Sequence, residues 1–329
     1  MTAPHEADAG QVPPGRRPPR SGTTGRPWRR ITLALLAVLL VALGADAAVL
    51  AGRVGQVDID LSGGPGDADG RTWVLVGLDS RDRLPEGADA TAFGTPDQVP
   101  GARTDVIVVV HQTDDATTVF SVPRDVVVRT DRRPGRLALT WLSGPRATVD
   151  GLCQLGIPTD HLVSVDLAGF AAVVDAAGGL DVDVPQPVRD PSAGLRLTRA
   201  GHQQVDGATA LALVRSRHPE HLVEGAWVPA PVDPDGRATA AGTVLSALTA
   251  QVRSASLRPW RLQSVAWAAS GALATDPDTS TGELAALARA ELDDLRVLPV
   301  GDPLGGTIAR LPTADTRAAV AAAGLSCDP

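Results

Sequence analysis

The sequence lacks whole residue types, and these gaps exclude several classes of enzyme. Its 329 residues include no lysine, asparagine or tyrosine, so all 30 residues counted as Lys or Arg are arginine. Without lysine there is neither Schiff-base catalysis nor a phosphate loop ending in Gly-Lys. No Gly-x-Ser-x-Gly, His-Glu-x-x-His or strand-linked Gly-x-Gly-x-x-Gly is found, which argues against serine hydrolases, zinc hydrolases and dinucleotide enzymes. The formal net charge of −8 disfavours nucleic acid as a partner.

The N-terminal region predicts export across a membrane. Residues 1–30 are rich in proline, glycine and arginine and lack a core-forming pattern, which predicts a disordered cytoplasmic tail. Residues 31–51 are an uncharged run except for Asp46, and as a helix they span about 31 Å, close to a bilayer core. The preceding arginines orient the N-terminus inward. We therefore predict a single-pass cell-membrane protein with an extracytoplasmic catalytic domain.

A cleaved signal peptide is the alternative reading of the same segment. Ala45-Asp46-Ala47 resembles a small-x-small cleavage site after a short apolar region. Both readings place residues 52–329 outside the cytoplasm. There the two cysteines, Cys153 and Cys327, have no metal-type spacing and no competing thiol, so we predict a disulfide between them.

The exported part alternates between strand-like and helix-like segments. Residues 52–71 are predicted as a linker and residues 72–329 as one domain. Strands are predicted over 72–78, 106–110, 117–122, 161–165 and 180–184, and helices over 148–155, 167–177, 206–213 and 236–253. Residues 126–129 are predicted to continue the third strand, and residues 219–235 to form an irregular loop. This alternation predicts a sheet covered by helices on both faces.

Charged side chains cluster where the predicted strands end or helices begin. The clusters are Asp79-Ser80-Arg81, Arg103-Thr104-Asp105, Pro123-Arg124-Asp125, Arg215-Ser216-Arg217 and Gly236-Arg237. Ligand sites of sheet proteins gather at strand ends, and several guanidinium groups suit a dense anion such as pyrophosphate. Two aspartates among them suit one Mg²⁺. Ordinary surface salt bridges are the alternative explanation for each cluster taken singly.

The order of these motifs resembles the LytR–CpsA–Psr family. The resemblance rests on Val74–Arg81, Arg103–Ile107, Ser121–Asp125, Val165–Phe170, Val174–Val182 and Val214–Arg217, and it extends over roughly residues 73–253. It implies an α/β/α sandwich with a central mixed β-sheet behind one N-terminal transmembrane helix. It also implies a groove for a lipid tail, for which the helices 167–177 and 244–252 are candidates, with plain core packing as the alternative.

The implied activity is phosphoryl transfer at the cell envelope. Such proteins move a glycopolymer from a polyprenyl-pyrophosphate carrier onto peptidoglycan through a phosphodiester. By the resemblance, Asp79 and Asp105 hold Mg²⁺, and the pyrophosphate is bound by Arg124, Arg215, Arg217 and Arg237. Arg103, Asp105 and Arg124 are the implied catalytic residues, with Asp105 also a candidate base for the acceptor hydroxyl.

The sequence departs from the family pattern in three places near this site, one of which is Gly144-Pro145 in place of a tandem glycine. Arg136-Leu137-Ala138 replaces a segment that carries an amide, and Ala240-Ala241 replaces an Arg-Gln pair. These losses keep two alternatives open: a non-catalytic protein that binds polyprenyl pyrophosphate, and a polyprenyl-pyrophosphate phosphatase that uses water as the acceptor.

Overall fold

The N-terminal apolar run forms one long helix. The computed structural model describes residues 25–61, 70–85, 97–98, 100–130, 133–231, 236–255, 257–290, 292 and 295–327, with no side-chain account of 25–27, 30, 237 and 238. Helix α1 (Gly25–Ala51) contains the span Ile31–Ala51, whose mean hydropathy is 2.6 and of which none is buried. It is long and apolar enough to cross a membrane. Residues 25–30, predicted as part of the disordered tail, belong to this helix instead, and the rest of that predicted tail, residues 1–24, lies outside the described residues.

A seven-stranded mixed sheet forms the centre of the unit that contains residues 49–329. In spatial order its strands are β1 (Gly55–Gln56), β14 (Leu273–Thr275), β7 (His161–Asp166), β2 (Arg71–Leu78), β3 (Thr104–Gln112), β4 (Thr117–Ser121) and β15 (Leu295–Val297). Strands β7 and β2 run parallel, as do β4 and β15, whereas β3 is antiparallel to both β2 and β4.

From Trp73 to Leu78 the central strand β2 is apolar, because it is covered on both faces. Trp73 and Leu75 belong to one hydrophobic core, and Val74 and Val76 to another, as the two-residue period of a strand requires. This is why its sequence reads as a continuous apolar run.

Helices cover both faces of the sheet, so the predicted α/β/α sandwich is confirmed. The helices that follow α1 are α2 (Pro145–Cys153), α3 (Leu167–Ala177), α4 (Gly207–Arg215), α5 (Gly236–Ala255), α6 (Pro259–Ala272), α7 (Thr281–Leu287) and α8 (Ala314–Ala322). A 3-10 helix covers Leu137–Ser143. Helices α2 and α8 contribute to the core on the Val74 side, while α5 and α7 contribute to the core on the Trp73 side.

Helix α3 begins and ends where its sequence predicts. The Asp166 carboxylate accepts a hydrogen bond from the Gly169 N–H at 2.7 Å and caps the first turn. Gly178 ends the helix with a φ of 94°, a left-handed conformation that glycine adopts without steric cost.

Smaller sheets complete the fold and correct two predictions made from the sequence. The strands are β5 (Val127–Arg129) with β6 (Pro134–Arg136), β8 (Leu180–Val184) with β11 (Gly201–Val205), and the sheet of β10 (Leu195–Leu197), β9 (Val188–Asp190), β12 (Glu220–Val223) and β13 (Ala226–Pro229). The prediction of an irregular loop over 219–235 was wrong where β12 and β13 pair as a hairpin. Residues 127–129 pair with β6 instead of extending β4.

The domain includes segments at both ends that the motif region does not reach. In the predicted linker, β1 forms the sheet edge and Val57 and Ile59 are buried in the core, so residues 55–59 belong to the domain. Strands β14 and β15, beyond residue 254, lie in the central sheet.

The predicted disulfide is confirmed. Cys153 at the end of α2 is bonded to Cys327, which lies 174 residues further along the chain, with their Cα atoms 5.2 Å apart. The bond ties the C-terminal segment to helix α2, beside the core on the Val74 side.

Candidate active site

A β-bulge turns Asp105 toward the candidate site. Gly77 pairs with Val106, but the next residue of β2, Leu78, pairs with Thr104, so Asp105 is the extra residue of the bulge. Regular alternation would place Asp105 on the face of Ile107, in the core. Instead, Asp105 lines a cavity together with Val106.

Asp79 lies directly after β2 and is nearly buried. Its backbone N–H donates to the Arg103 carbonyl at 2.8 Å, and one carboxylate oxygen, Oδ2, accepts from Arg81 at 3.1 Å. Burial raises the pKa of the Asp79 carboxyl, and the nearby Asp105 carboxylate raises it further, while Arg81 and Arg215 oppose these effects. The other oxygen, Oδ1, is buried and has no hydrogen-bond partner within the described residues.

Arg124 is positioned by a tight turn after β4. The Val126 N–H donates to the Pro123 carbonyl at 3.1 Å, which closes the turn. The Arg124 guanidinium is 10% exposed and forms a short ion pair with Asp105. Its Nε also lies 3.7 Å from the Asp125 carboxylate, which in turn pairs with Arg136 at 2.9 Å. The Arg136-Leu137-Ala138 segment, which departs from the family pattern, therefore places a cation beside this loop.

Arg215 and Arg217 approach the same carboxylates from the end of α4. Burial lowers the pKa of Arg215, and the Asp79 and Asp105 carboxylates counteract this, so the guanidinium lies within their field. Arg217 Nη2 lies 3.8 Å from Asp105 Oδ2, and the Arg217 side chain is 49% exposed. Arg215 is thus an inner cation of the cluster and Arg217 an outer one.

A fully buried carboxylate, Asp190, fixes the segment that carries these arginines. Its Oδ2 accepts from the backbone N–H groups of Arg217 at 2.7 Å and His218 at 2.8 Å, and from the Ser216 hydroxyl at 2.9 Å. Burial by itself would raise the pKa of Asp190. The hydrogen bonds from Ser192, His218, Arg217 and Ser216 outweigh it and hold that pKa well below its usual range.

The structure thus brings five of the seven predicted site side chains together, namely Asp79, Asp105, Arg124, Arg215 and Arg217. Arg103 adjoins them through its backbone carbonyl, which receives the Asp79 N–H. Arg237 lies in the first turn of α5, but its side chain is outside the described residues. Its predicted contact with pyrophosphate stays a prediction.

The sequence analysis assigned no individual role to two residues of the site. Arg81 was noted only as part of a charged cluster, yet its guanidinium pairs with Asp79 and is 9% exposed. Asp190 gave no signal, because it lies 25 residues before Arg215 and only the fold brings the two segments together.

An apolar cavity of about 230 Å³ adjoins the charged cluster. Its walls come from the apolar faces of three helices and from β2, β3 and β7. Helix α3 contributes Leu167, Phe170 and Val173, and α5 contributes Val244, Leu245 and Leu248. Asp105 and Arg215 also line it, so the cavity and the cluster share two residues. Val252, at the end of the predicted groove face, packs in a separate core with Ala255 and Val265.

The candidate cation ligands in the described part of the site are carboxylates. Within the described part of the chain, no group of three or more His, Cys, Asp or Glu side chains is placed to hold a metal ion. Asp79 and Asp105 supply two carboxylates. Asp79 Oδ1, which has no hydrogen-bond partner within the described residues, is an oxygen suited to a hard cation. This donor set fits Mg²⁺, which commonly takes one or two carboxylates and completes its shell with phosphate and water oxygens.

Comparison with known proteins identifies the family. The LytR_cpsA_psr family model matches residues 52–295, which is most of the chain and includes every residue of the cluster. The protein belongs to the LytR_cpsA_psr family. The family expected from the ordered motifs is therefore confirmed, and the match extends beyond residue 253 to include β14 and most of the segment before β15.

Two proteins similar to this chain are named, respectively, for the family and for cell wall biosynthesis. A solved structure, the LytR-Csp2A-Psr enzyme from Actinomyces oris, is 34% identical, with a TM-score of 0.69 over 83% of this chain and 97% of that one. The probable cell wall biosynthesis protein LcpB of Corynebacterium glutamicum is 33% identical over 194 residues, 57% of this chain and 44% of LcpB.

A third relative is the polyisoprenyl-teichoic acid–peptidoglycan teichoic acid transferase TagV of Bacillus subtilis. It is 29% identical over 124 residues, 34% of this chain and 31% of TagV. The chain therefore spans less than half the length of the curated relatives it matches here.

Proposed function

We propose that the protein transfers a glycopolymer from a polyprenyl-pyrophosphate carrier onto peptidoglycan. The observation that carries this proposal is the shared wall between the apolar cavity and the charged cluster, to which Asp105 and Arg215 both belong. A substrate that fits both parts must join an apolar tail to a dense anion. The name of TagV, a polyisoprenyl-teichoic acid–peptidoglycan teichoic acid transferase, supports the same class of reaction.

The proposed donor is recognised by two kinds of contact. The tail would lie against the α3 and α5 side chains of the cavity, where water is excluded. The pyrophosphate would displace the internal ion pairs of the cluster, since guanidinium groups bind phosphate oxygens by paired hydrogen bonds. Arg124, Arg215, Arg217 and, from the family pattern, Arg237 are the proposed phosphate ligands, with Arg103 adjacent.

Asp79 and Asp105 are the proposed Mg²⁺ ligands. When bound there, Mg²⁺ would neutralise charge on the phosphate oxygens as the leaving group departs. Asp105 is also the proposed acceptor of the proton from the attacking sugar hydroxyl. The hydroxyl oxygen bonds to the phosphorus that carries the glycopolymer, and the bond from that phosphorus to the polyprenyl phosphate breaks. The products are a phosphodiester and polyprenyl monophosphate.

The arginines of the cluster would hold the reacting groups and stabilise the charge that develops on them. Arg124 and Arg215 are largely withdrawn from solvent, where a fixed positive charge is screened less than at the surface. Arg217 is half-exposed and so placed to meet the part of the substrate that projects into water. Asp190 would keep Arg217 and its neighbours in position without touching the substrate.

The experiment is a transfer assay with the full-length protein in detergent. The donor is a polyprenyl-pyrophosphate oligosaccharide, the acceptor is a peptidoglycan fragment, and Mg²⁺ is present or removed with a chelator. Formation of the phosphodiester together with polyprenyl phosphate supports the proposal. Release of polyprenyl phosphate and a phosphorylated oligosaccharide without transfer would establish the phosphatase, and donor binding without turnover the non-catalytic alternative.

A further inference from the structure

Helix α6 carries exposed aromatic side chains that the domain itself does not cover. Trp260 is 69% exposed and Trp267 is 48% exposed, and Leu257 just before the helix is 85% exposed. Trp260, Ser264, Trp267 and Gly271 follow the three- and four-residue spacing that forms one stripe on a helix, and all four are exposed. Large apolar side chains exposed together mark a contact surface.

The opposite side of α6 is firmly packed, so the exposed stripe is held in a fixed orientation. Val265 is buried and packs in one core with Ala177 and Ala255. Ala272 packs so closely against α3 that a Cβ on Gly169 would lie 2.8 Å from the Ala272 Cβ. The stripe is therefore a stable surface of the domain.

Arg53 connects this stripe to the end of the candidate membrane span. The apolar run ends at Ala51, and the Arg53 N–H donates to the Leu50 carbonyl at 3.1 Å, so no spacer separates them. The Arg53 guanidinium lies 3.8 Å from the centre of the Trp267 ring and donates to the Ser270 hydroxyl at 3.2 Å. If residues 31–51 span a bilayer, Arg53 lies at its outer surface, and so does the helix that binds it.

Gly271 makes this contact sterically feasible. A Cβ at Gly271 would lie 2.6 Å from Arg53 Nη2, closer than real Cβ contacts permit. The groove between Trp267 and Gly271 thus accommodates the residue that follows the span.

We infer that the Trp260–Trp267 face of α6 docks on the outer leaflet of the membrane that α1 spans. Tryptophan is enriched at membrane–water interfaces because its ring is apolar and its N–H is polar, and arginine places its charge among the headgroups. The inference requires a membrane-spanning α1 but not the transferase activity.

Sheet register places the C-terminal end of α6 beside the end of the sheet that carries the candidate site. Leu273, the residue after α6, pairs with Val165, which pairs with Gly77, two residues before Asp79. Leu273 also lines the apolar cavity. Docking would therefore bring the cavity close to the lipid. The meaning of this closeness rests on the proposed function, whereas the docking itself does not.

The test measures whether Ser264, within the stripe, is immersed in lipid. The full-length protein carrying Ser264→Cys is labelled with a nitroxide and reconstituted into phosphatidylcholine vesicles. Accessibility to oxygen, which concentrates in lipid, is compared with accessibility to a water-soluble nickel chelate. The control is Asp115→Cys, which is exposed in the β3–β4 turn at the opposite end of the sheet.

The inference predicts an oxygen-to-nickel ratio several-fold higher at position 264 than at position 115. Equal ratios at the two positions would overturn it, as would failure of the protein to remain with the vesicles. Protection of position 264 from both reagents would also overturn it and show a protein partner instead. Because the readout needs no substrate, a missing transferase activity would leave this result unaffected.

A second pair of variants tests the part played by Arg53. Gly271→Ala should displace the guanidinium and lower the ratio at position 264. The control is Gly282→Ala, because a Cβ there meets nothing closer than 3.8 Å. Equal effects of the two substitutions would show that Arg53 does not hold the face against the membrane.

Discussion

At the scale of single residues, the site consists of charges that neutralise each other until a substrate arrives. Asp105 is paired with Arg124 and lies near Arg217, while Asp79 is paired with Arg81. Each pair lies at least partly out of water, where removing one partner leaves an uncompensated charge. Substitutions here should therefore have larger effects than those at exposed charges of the same type.

Arg124→Ala should lower the rate of transfer about a hundredfold, or about 3 kcal/mol of transition-state stabilisation. The reason is the loss of a buried guanidinium beside the proposed phosphate site. Steady-state rates with a polyprenyl-pyrophosphate donor provide the measurement. Arg199→Ala is the matched control, because Arg199 is exposed, lies just before β11 and is not one of the cluster residues. Similar rates for the two variants would contradict the assignment of Arg124.

Asp190→Asn should lower both the transfer activity and the free energy of unfolding, although Asp190 is not proposed to contact the substrate. An amide is a weaker acceptor for the Arg217 and His218 N–H groups, and its NH₂ cannot accept at all, so we expect a stability loss of about 1–3 kcal/mol. Urea unfolding at neutral pH measures it. Asp183→Asn, at an exposed position of β8, is the control and should change little.

The stability difference at Asp190 should also depend on pH. Hydrogen bonding lowers the folded-state pKa of Asp190, so its stabilising effect is present above the unfolded pKa, near 3.9, and is lost as pH falls further. The difference in free energy of unfolding between wild type and Asp190→Asn should become smaller below about pH 4. A gap that widens on acidification would contradict this account.

At the scale of elements, the order of strands and helices could be predicted much better than the local geometry of the site. The apolar run of β2 and the glycine that ends α3 are local signals, and both were interpreted correctly. The Asp105 bulge depends on the pairing of two strands, which composition does not show. The β12–β13 hairpin was missed because its Pro219–Pro229 segment is rich in turn formers, while its pairing with β9 is a tertiary contact.

The disulfide should contribute substantially to stability. Replacing Cys153 and Cys327 with alanine removes a cross-link over 174 residues, for which the chain-entropy model gives up to about 5 kcal/mol. Denaturant unfolding of oxidised wild type and the double variant measures the difference. Alkylation of both thiols in the native, exported protein would show instead that the bond does not form.

Helix α1 should behave as a retained membrane anchor. Its 21-residue apolar span is exposed along its length, as contact with lipid allows. The protein should stay in the membrane fraction through alkaline carbonate washing, with its C-terminal domain digested by protease added from outside. Recovery of a soluble form that begins near Ala48 would establish the cleaved-signal alternative.

At the scale of the whole molecule, the two chemistries of the proposed donor meet at one place in the fold. The sheet ends where β2 gives way to Asp79 and the β3 bulge displays Asp105, and the apolar cavity between α3 and α5 opens beside them. The sequence motifs indicated the charged cluster, but the cavity required the packing of helices that are distant in sequence. The account therefore predicts that tail and pyrophosphate are recognised together.

The most direct test compares two donors with the same sugar and pyrophosphate, one bearing the polyprenyl tail and one a short water-soluble group. The measurement is kcat/KM for transfer to a peptidoglycan fragment by the full-length protein with Mg²⁺. Because burial of apolar surface stabilises binding, the account predicts a preference of at least about tenfold for the polyprenyl donor, and little transfer of either when Mg²⁺ is chelated. Equal kcat/KM values for the two donors, or transfer that is indifferent to Mg²⁺, would contradict it.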